Sequence, residues 1–408
     1  MTSGLSSRER MLAALNCEEP DYVPCCFSAF QILERRCASQ QEFVDRELQM
    51  GLDVAVAVAA PPVRHDPRVR IREWREEDRS SPCPVLHKEY ETPAGVLRTA
   101  VNRSEDWPWG DHVPFLDDFL IPRSRKFLIT HDDDLEGLRY LLASPTGEDV
   151  ARLREQCRGA AKLADERKLI TIAYYGMVGD VACWLAGISE LIMMTADRPD
   201  FVRRLLAVIE EWNNRVMDVV LDQKVDVFVR RAWYENADVW APAQYREFIL
   251  PGLRRDAERA HRAGAKFGYL MSCAAMPLLD MMMDAGVDVL MGVDPAQDRM
   301  MDLRALKERT AGRMCLWGGV CGYLTLERGT PQDVAAQVQR SLAALAPGGG
   351  FILAPVTNVR EDNARVWRNL DAMVEAWRSL RLGPFSSAGQ QGPMGQASGP
   401  AGSWLTRS

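Results

Sequence analysis

The 408-residue sequence has no run of about eighteen apolar side chains, the length a membrane-spanning helix requires. Its first residues, Met1 to Arg10, lack the apolar core of a secretory signal. No membrane partner is therefore expected, and the expected location is cytoplasmic. Positive charge is also short: 50 Lys and Arg stand against 57 Asp and Glu, a formal net charge of −7. Basic clusters are interrupted: Arg64 to Arg75, for example, is cut by Asp66 and Glu73 and followed by Glu76, Glu77 and Asp78. It reads as a solvated mixed-charge face, so nucleic acid is excluded as a general partner. None of the ten cysteines forms a CxxC pair, which points to reduced, mostly buried thiols. Histidine is scarce too. His65, His87, His112 and His131 fall in one long connection and His261 in a helical stretch, so no nitrogen ligand for zinc stands at a strand end.

What the chain does contain is a series of short, continuously apolar runs. They are Val23–Ser28, Asp53–Ala59, Leu169–Tyr175, Val225–Arg231, Ala265–Ser272, Asp288–Val293, Arg313–Gly319 and Gly350–Pro355. Runs of this kind suit parallel strands covered on both faces. Helical spacing fills the later gaps, over Asp200–Gln223 and Ala243–Ala263, and Thr330 to Asp333 reads as a capped helix start with Pro331 in its first turn. The alternation predicts an α/β fold, a (β/α)8 TIM barrel over residues 1–382. One gap is too long for a barrel connection. Residues 60–168, between the second and third strands, are expected to form an insertion. It holds a hairpin over Leu86–Val101, turning at Thr92 to Gly95, and a helix over Gly147–Lys168. The hairpin is expected to cap the barrel mouth. Residues 383–408, rich in Gly, Ser, Pro and Gln, are expected to be a disordered tail. Gly348, Gly349 and Gly350 precede a strand instead of opening a helix, which argues against a phosphate loop.

Several stretches, "SSRERMLAALNCEEPDYVP" (Ser6–Pro24), "ETPAGVLRT" (Glu91–Thr99), "AGVDVLMGVDP" (Ala285–Pro295), "LWGGVCGYLTLERGTPQDV" (Leu316–Val334) and "GGGFILAPVTNVREDNARVWRNLDAMVEAWR" (Gly348–Arg378), resemble the uroporphyrinogen decarboxylase superfamily. The likeness is closer to its branch of corrinoid-dependent methyltransferases. It implies a (β/α)8 barrel and two candidate chemistries. Decarboxylases of the family use an N-terminal arginine motif, an aspartate after the second strand, a tyrosine after the third and a histidine after the eighth. Here the first strand has no arginine, and the other positions fall near Ala60, Trp184 and Thr357. A methyl at Ala60 cannot accept hydrogen bonds from pyrrole N–H groups, which disfavours tetrapyrrole decarboxylation. The methyltransferases use zinc held by a His-x-Cys after the fifth strand and a cysteine near the eighth. Here the pair is Met271-x-Cys273 and the eighth strand ends in Ala354, Pro355 and Val356.

The residues that remain at strand ends define the candidate site. Cys273 and Cys321, the latter placed two residues beyond the seventh strand, could form a thiol or metal pair, or end strands as small buried groups. Of Arg230 and Arg231, one must face the barrel. Arg231 is the candidate for a substrate anion, or else pairs with Glu235, Asp180 or Asp294. Glu235 and Tyr174 are candidate proton-transfer groups, although Glu235 could equally serve as an arginine partner. Asp294 could orient a ligand or shape a turn. Tyr174, Tyr234 and Trp317 could wall a planar ligand, with Met271, Asn358 and Thr357 nearby. The expectation is an enzyme acting on a small carboxylate-bearing or methylated substrate. A corrinoid carrier protein is its partner if methyl transfer survives, and a homo-oligomer is compatible with it. A cofactor-free decarboxylase and a catalytically degenerate binding barrel are the alternatives.

Overall fold

The computed structural model describes residues 4–27, 30–58, 60–77, 83–298, 300–356 and 359–382. The expected tail, 383–408, lies outside them, as do Thr357 and Asn358. Among the described residues eleven strands fall into two sheets. Seven are parallel neighbours in chain order: β1 (Ala55–Val58), β6 (Ile170–Tyr174), β7 (Val227–Arg231), β8 (Lys266–Leu270), β9 (Val289–Val293), β10 (Cys315–Cys321) and β11 (Phe351–Val356). The remaining four, β2 (Arg70–Glu76), β3 (Val85–Thr92), β4 (Gly95–Asn102) and β5 (Ser124–Lys126), form an antiparallel sheet.

Among the described residues of the expected first strand, 23–27, pairing is limited to one parallel bridge, Cys25 to Leu353 of β11, and Ser28 lies outside them. Pro24 has no N–H to give to a ladder, which limits pairing there. The Pro24 carbonyl accepts from Leu353 N at 2.9 Å, Cys26 N donates to Leu353 O at 3.0 Å, and Asp53 N donates to Cys25 O at 2.9 Å. This short piece therefore spans the space between β11 and the residues ahead of β1. The curled sheet and its bridge fit a (β/α)8 barrel.

Side-chain alternation along each strand makes two cores. Ile170, Ile172, Val227, Val229, Val289, Met291, Cys315, Trp317, Ile352 and Ala354 share one interior cluster with Met11, Ala14 and Leu15 of the helix Ser7–Leu15. Arg8 of that helix bonds the Leu169 carbonyl at 2.8 Å, so the helix plugs the end where β6 begins. Phe228, Phe267, Leu290, Leu316 and Leu353 belong instead to the layer beneath the helices. Function is left the opposite end, where the strands finish.

Two sequence expectations shift in register. Strand β10 runs on to Cys321, past a pairing irregularity between Trp317 and Gly318. A Cβ at Gly318, whose φ is +147°, would stand 2.7 Å from Val293 O and 2.8 Å from Val293 N. Gly318→Ala should therefore lower stability by about 1–3 kcal/mol in urea unfolding. A change within about 0.5 kcal/mol, the usual scale of an inert substitution, would show that the backbone approach is slack. The helix expected over Ala243–Ala263 is present, with Pro242–Gln244 and Leu250–Arg262 joined without a break by a wide turn at Tyr245–Ile249. Pro251 cannot supply the N–H of a regular α-helical ladder at that point, which the wide turn accommodates.

Between β1 and β6, the strands β3 and β4 pair with Thr92 opposite Gly95, and Leu86 and Val101 pack with Trp107, Val113 and Leu120 in a cluster of their own. The helices Asp134–Leu141 and Gly147–Arg167 then lead back to β6. Among the described residues no single helix is long and apolar enough to cross a membrane, and the apolar pair Gly179–Ala186 and Ile188–Asp197 is bent by 98°.

Candidate active site

Alternation sorts the two arginines that end β7. Val227 and Val229 face the barrel interior, so Arg231 follows them to the mouth while Arg230 turns under the helices. Arg230 is 1% exposed and lies between Glu235 at 2.7 Å and Asp256 at 2.8 Å. Glu235 is fully buried. One of its oxygens also accepts from Gly179 N at 2.6 Å, and the other accepts from the Tyr269 hydroxyl. Both oxygens are therefore committed, which takes Glu235 away from substrate and makes it an arginine partner. A Cβ at Gly179 would lie 2.4 Å from Glu235 Cγ, so glycine is what admits this carboxylate.

Arg231 is held differently. Its Nε contacts Asp180 Oδ2 at 3.0 Å, and its Nη2 donates to Asp118 Oδ2 at 2.9 Å and Oδ1 at 3.2 Å. The guanidinium lies 5.0 Å from the Trp184 ring centre and 5.8 Å from that of Trp233. Tyr234 N donates to Asp180 Oδ1 at 2.8 Å, while its hydroxyl donates to Asp118 Oδ1 at 3.1 Å. Trp184 Nε1 donates to the same oxygen at 2.9 Å. Asp180 is thus a buried anchor beneath Arg231, and Asp118 caps it from the segment between β4 and β5.

Burial pushes the Asp180 carboxyl up to about 7, against the opposing pull of Arg231, and Glu235 adds to the rise. Burial likewise raises Asp256, to about 6. Each folded value exceeds the unfolded one of about 3.9, so the folded protein holds extra protons between roughly pH 4 and 7. Stability from these groups is present at the acid end and falls as pH rises through that window. The urea midpoint should drop between pH 6 and pH 8, and the drop should shrink in Asp180→Asn. An equal drop in both proteins would remove Asp180 as its source.

A cleft of about 620 Å³ opens beside Arg231, lined also by Asp118, Trp233, Tyr323, Arg328 and Arg360. Arg328 pairs with Glu361 at 2.8 Å and lies 5.2 Å from the Tyr323 ring centre. The Arg360 guanidinium has no ion pair among the described residues. Buried Glu327 accepts from the Glu361 backbone N–H at 3.2 Å and from that of Arg360, fixing the turn after β11. The cleft therefore presents three guanidinium groups, the carboxylates of Asp118, Glu327 and Glu361, and two aromatic faces where β7, β10 and β11 end.

The other expected residues do not join it. Met271 is fully buried in the layer beneath the helices, because β8 points Leu270 rather than Met271 toward the interior. Trp317 fills the barrel interior and donates to Cys26 O at 2.9 Å, since β10 continues four residues beyond it to Cys321. Tyr174 lines a separate cavity of about 420 Å³ with Phe27, Phe30, Phe43 and Ala57. Asp294 is fully buried, and its Oδ1 accepts from Ala296 N and Gln297 N, both at 3.0 Å, the geometry of an Asx turn. Asn358 lies outside the described residues.

Cys273 and Cys321 end neighbouring parts of the same barrel face, with β9 between β8 and β10. Cys273 accepts from Asn236 Nδ2 at 3.3 Å. Cys321 is not beyond the strand but its last residue, and its sulfur accepts from Leu324 N at 3.3 Å. Burial raises both thiols to about 11, helped by Asp238 and Asp298 at Cys273 and by Asp294 at Cys321. Zinc requires thiolates and three or four converging ligands. Among the described residues no three His, Cys, Asp or Glu side chains form such a group. The donor set at Cys273 and Cys321 does not fit a zinc ion.

Asp118, Trp184, Arg328 and Arg360 were not singled out as site residues by the sequence. Asp118 sits in a turn-rich stretch without periodicity, and Arg360 follows β11 by four residues. The only signal was indirect: Arg231 needed a carboxylate partner, and Asp180 was one of three candidates for it.

The family model of uroporphyrinogen decarboxylase (URO-D) matches residues 117–380. No curated protein matches the sequence. Among solved structures, a methyltransferase from Methanosarcina mazei is similar with a TM-score of 0.57 at 17% identity, covering 92% of this chain and 99% of that one. A B12-independent methionine synthase from Shewanella sp. W3-18-1 gives a TM-score of 0.47 at 8% identity over 88% of this chain and 97% of the other.

Proposed function

Starting from a chain that belongs to the uroporphyrinogen decarboxylase family, we propose an enzyme of the methyltransferase branch that binds a small, methylated carboxylic acid at the barrel mouth. The carrying observation is the cleft with Arg231, Arg328 and Arg360 around Trp233 and Tyr323. Guanidinium forks match carboxylates, and aromatic faces suit an apolar or planar substrate body. Its volume lies in the range of small-ligand sites. Arg231, held by Asp180 and stacked on Trp184, is the principal anion contact, and Arg360 is a second. Tyr234 supplies a hydroxyl donor. Asp180, poised near neutral pH, is the positioning carboxylate, and Cys273 offers a neutral thiol at the same barrel end.

The fold shared with the Methanosarcina protein along almost the full length of both chains supports the methyl-transfer part of this reading. A corrinoid carrier protein docking at the open mouth belongs to it as partner. A complete (β/α)8 barrel with residues 60–168 as a covering insertion, in a cytoplasmic enzyme, belongs to it as setting. Ala60 where the decarboxylases place their aspartate speaks against tetrapyrrole chemistry, so uroporphyrinogen should yield no coproporphyrinogen.

Isothermal titration with 4-methoxybenzoate and its neutral isostere 4-methoxybenzamide tests the reading. The acid should bind about tenfold more tightly or better, one charge-assisted hydrogen bond's worth. Arg360→Ala should weaken the acid by a few-fold, as expected of a rim charge. Equal binding of acid and amide would overturn the proposal.

A further inference from the structure

Asp118 is half exposed, with 51% of its side-chain surface open to solvent, yet it gathers every donor at this point of the mouth. Arg231, the Tyr234 hydroxyl and Trp184 Nε1 all converge on its two oxygens. The donors themselves are fixed from below, because buried Asp180 holds both the Arg231 guanidinium and the Tyr234 backbone. This is a preorganised carboxylate receptor, and the chain has supplied the carboxylate. The receptor also opens onto the cleft, since Asp118 and Arg231 line it together.

The segment carrying Asp118 is held there without regular secondary structure. Residues 103–123 contain turns and no helix or strand. Trp107, Val113 and Leu120 anchor it to Leu86 and Val101 of the antiparallel sheet, while Phe115, Leu116 and Ile121, on either side of Asp118, pack against the large core cluster. Its other polar contacts also run to that sheet or within itself, as with Val113 N to Glu73 at 3.0 Å and the Lys88 ammonium to Val113 O at 2.5 Å. Among the described residues, every hydrogen bond from this segment to the barrel passes through Asp118. An ion pair half in water contributes little, so the contact is exchangeable.

We propose that Arg231, Tyr234 and Trp184 are the receptor for the substrate's own carboxylate, and that Asp118 occupies it as an internal stand-in until substrate displaces it and the strap of turns around it loosens. This rests on the carboxylic-acid reading above and deepens it. Substrate binding and opening of the strap become one event, and a neutral analogue, unable to replace Asp118, leaves the strap shut. A strap closed about nine-tenths of the time lowers apparent affinity about tenfold.

The test compares wild type with Asp118→Ala, using 4-methoxybenzoate and 4-methoxybenzamide as probes. Asp118→Ala should bind the acid about tenfold more tightly, bind the amide unchanged, and lose its gain when Arg231→Ala is added. In wild type, the acid should speed backbone hydrogen exchange across residues 115–123, and the amide should not. Should wild type prefer the acid while Asp118→Ala binds it no better, Asp118 is a fixed wall and only this inference falls. Should neither protein prefer the acid to the amide, the carboxylic-acid reading falls with it.

Discussion

Arg230→Ala is expected to cost about 3–5 kcal/mol of folding stability, the scale for removing one partner from a buried ion cluster. Arg230 is the counter-charge for two carboxylates, Glu235 and Asp256, both almost wholly buried. Truncation leaves the two beside each other in low dielectric with hydrogen bonds from Gly179 and Tyr269 but no cation. Asp256, whose carboxyl burial already pushes up to about 6, can respond by taking up a proton. The loss in urea unfolding should therefore be largest near pH 8 and smaller near pH 5. Arg230→Lys should recover part of it, because one ammonium cannot fork to both partners as guanidinium does. A loss below about 1 kcal/mol at pH 8, the scale of an exposed pair, would mean the cluster is not a dry one.

Arg231→Ala is expected to act on binding. The side chain is 31% exposed, already stacked on Trp184 and oriented by Asp180. Removing it deletes the charged fork that a carboxylate would use, a loss of about 2–3 kcal/mol, or roughly 30–150-fold in Kd. The acid probe should weaken by that factor, and its amide should hardly change. Arg231→Lys should recover only part, because ammonium neither stacks nor binds bidentately. Weakening of the acid by less than about threefold, roughly 0.7 kcal/mol, would place the anion contact elsewhere. Stability should move much less than in Arg230→Ala, because Asp180, the one buried charge left behind, can protonate near neutral pH.

Much of this scaffold could be read before any coordinates. Apolar runs such as Leu169–Tyr175 and Asp288–Val293 announced strands covered on both sides, and β6 and β9 lie inside them. The bridge at Cys25 shows where the reading thinned, since Val23–Ser28 has the composition of a strand but Pro24 denies it a ladder. The two arginines of β7 could be paired with opposite faces by alternation, whereas their partners could not be assigned. Asp118 lies 113 residues from Arg231, in turns that carry no period, so only folding brings them together. Trp317 and Cys321 were misplaced for one reason: the irregularity at Gly318 lets β10 run on, which moves the tryptophan inward and makes the cysteine a strand end. Met271 was drawn to the mouth by its place in a family pattern, but a one-residue shift in a strand reverses the facing side, and it points under the helices.

The most direct measurement is a crystal structure of the protein with 4-methoxybenzoate. The account predicts the carboxylate within hydrogen-bond reach of the Arg231 guanidinium, the ring between Trp233 and Tyr323, and Asp118 moved away. Density for the acid in the Phe27, Phe30 and Tyr174 cavity instead, with the arginine cleft empty, would contradict it.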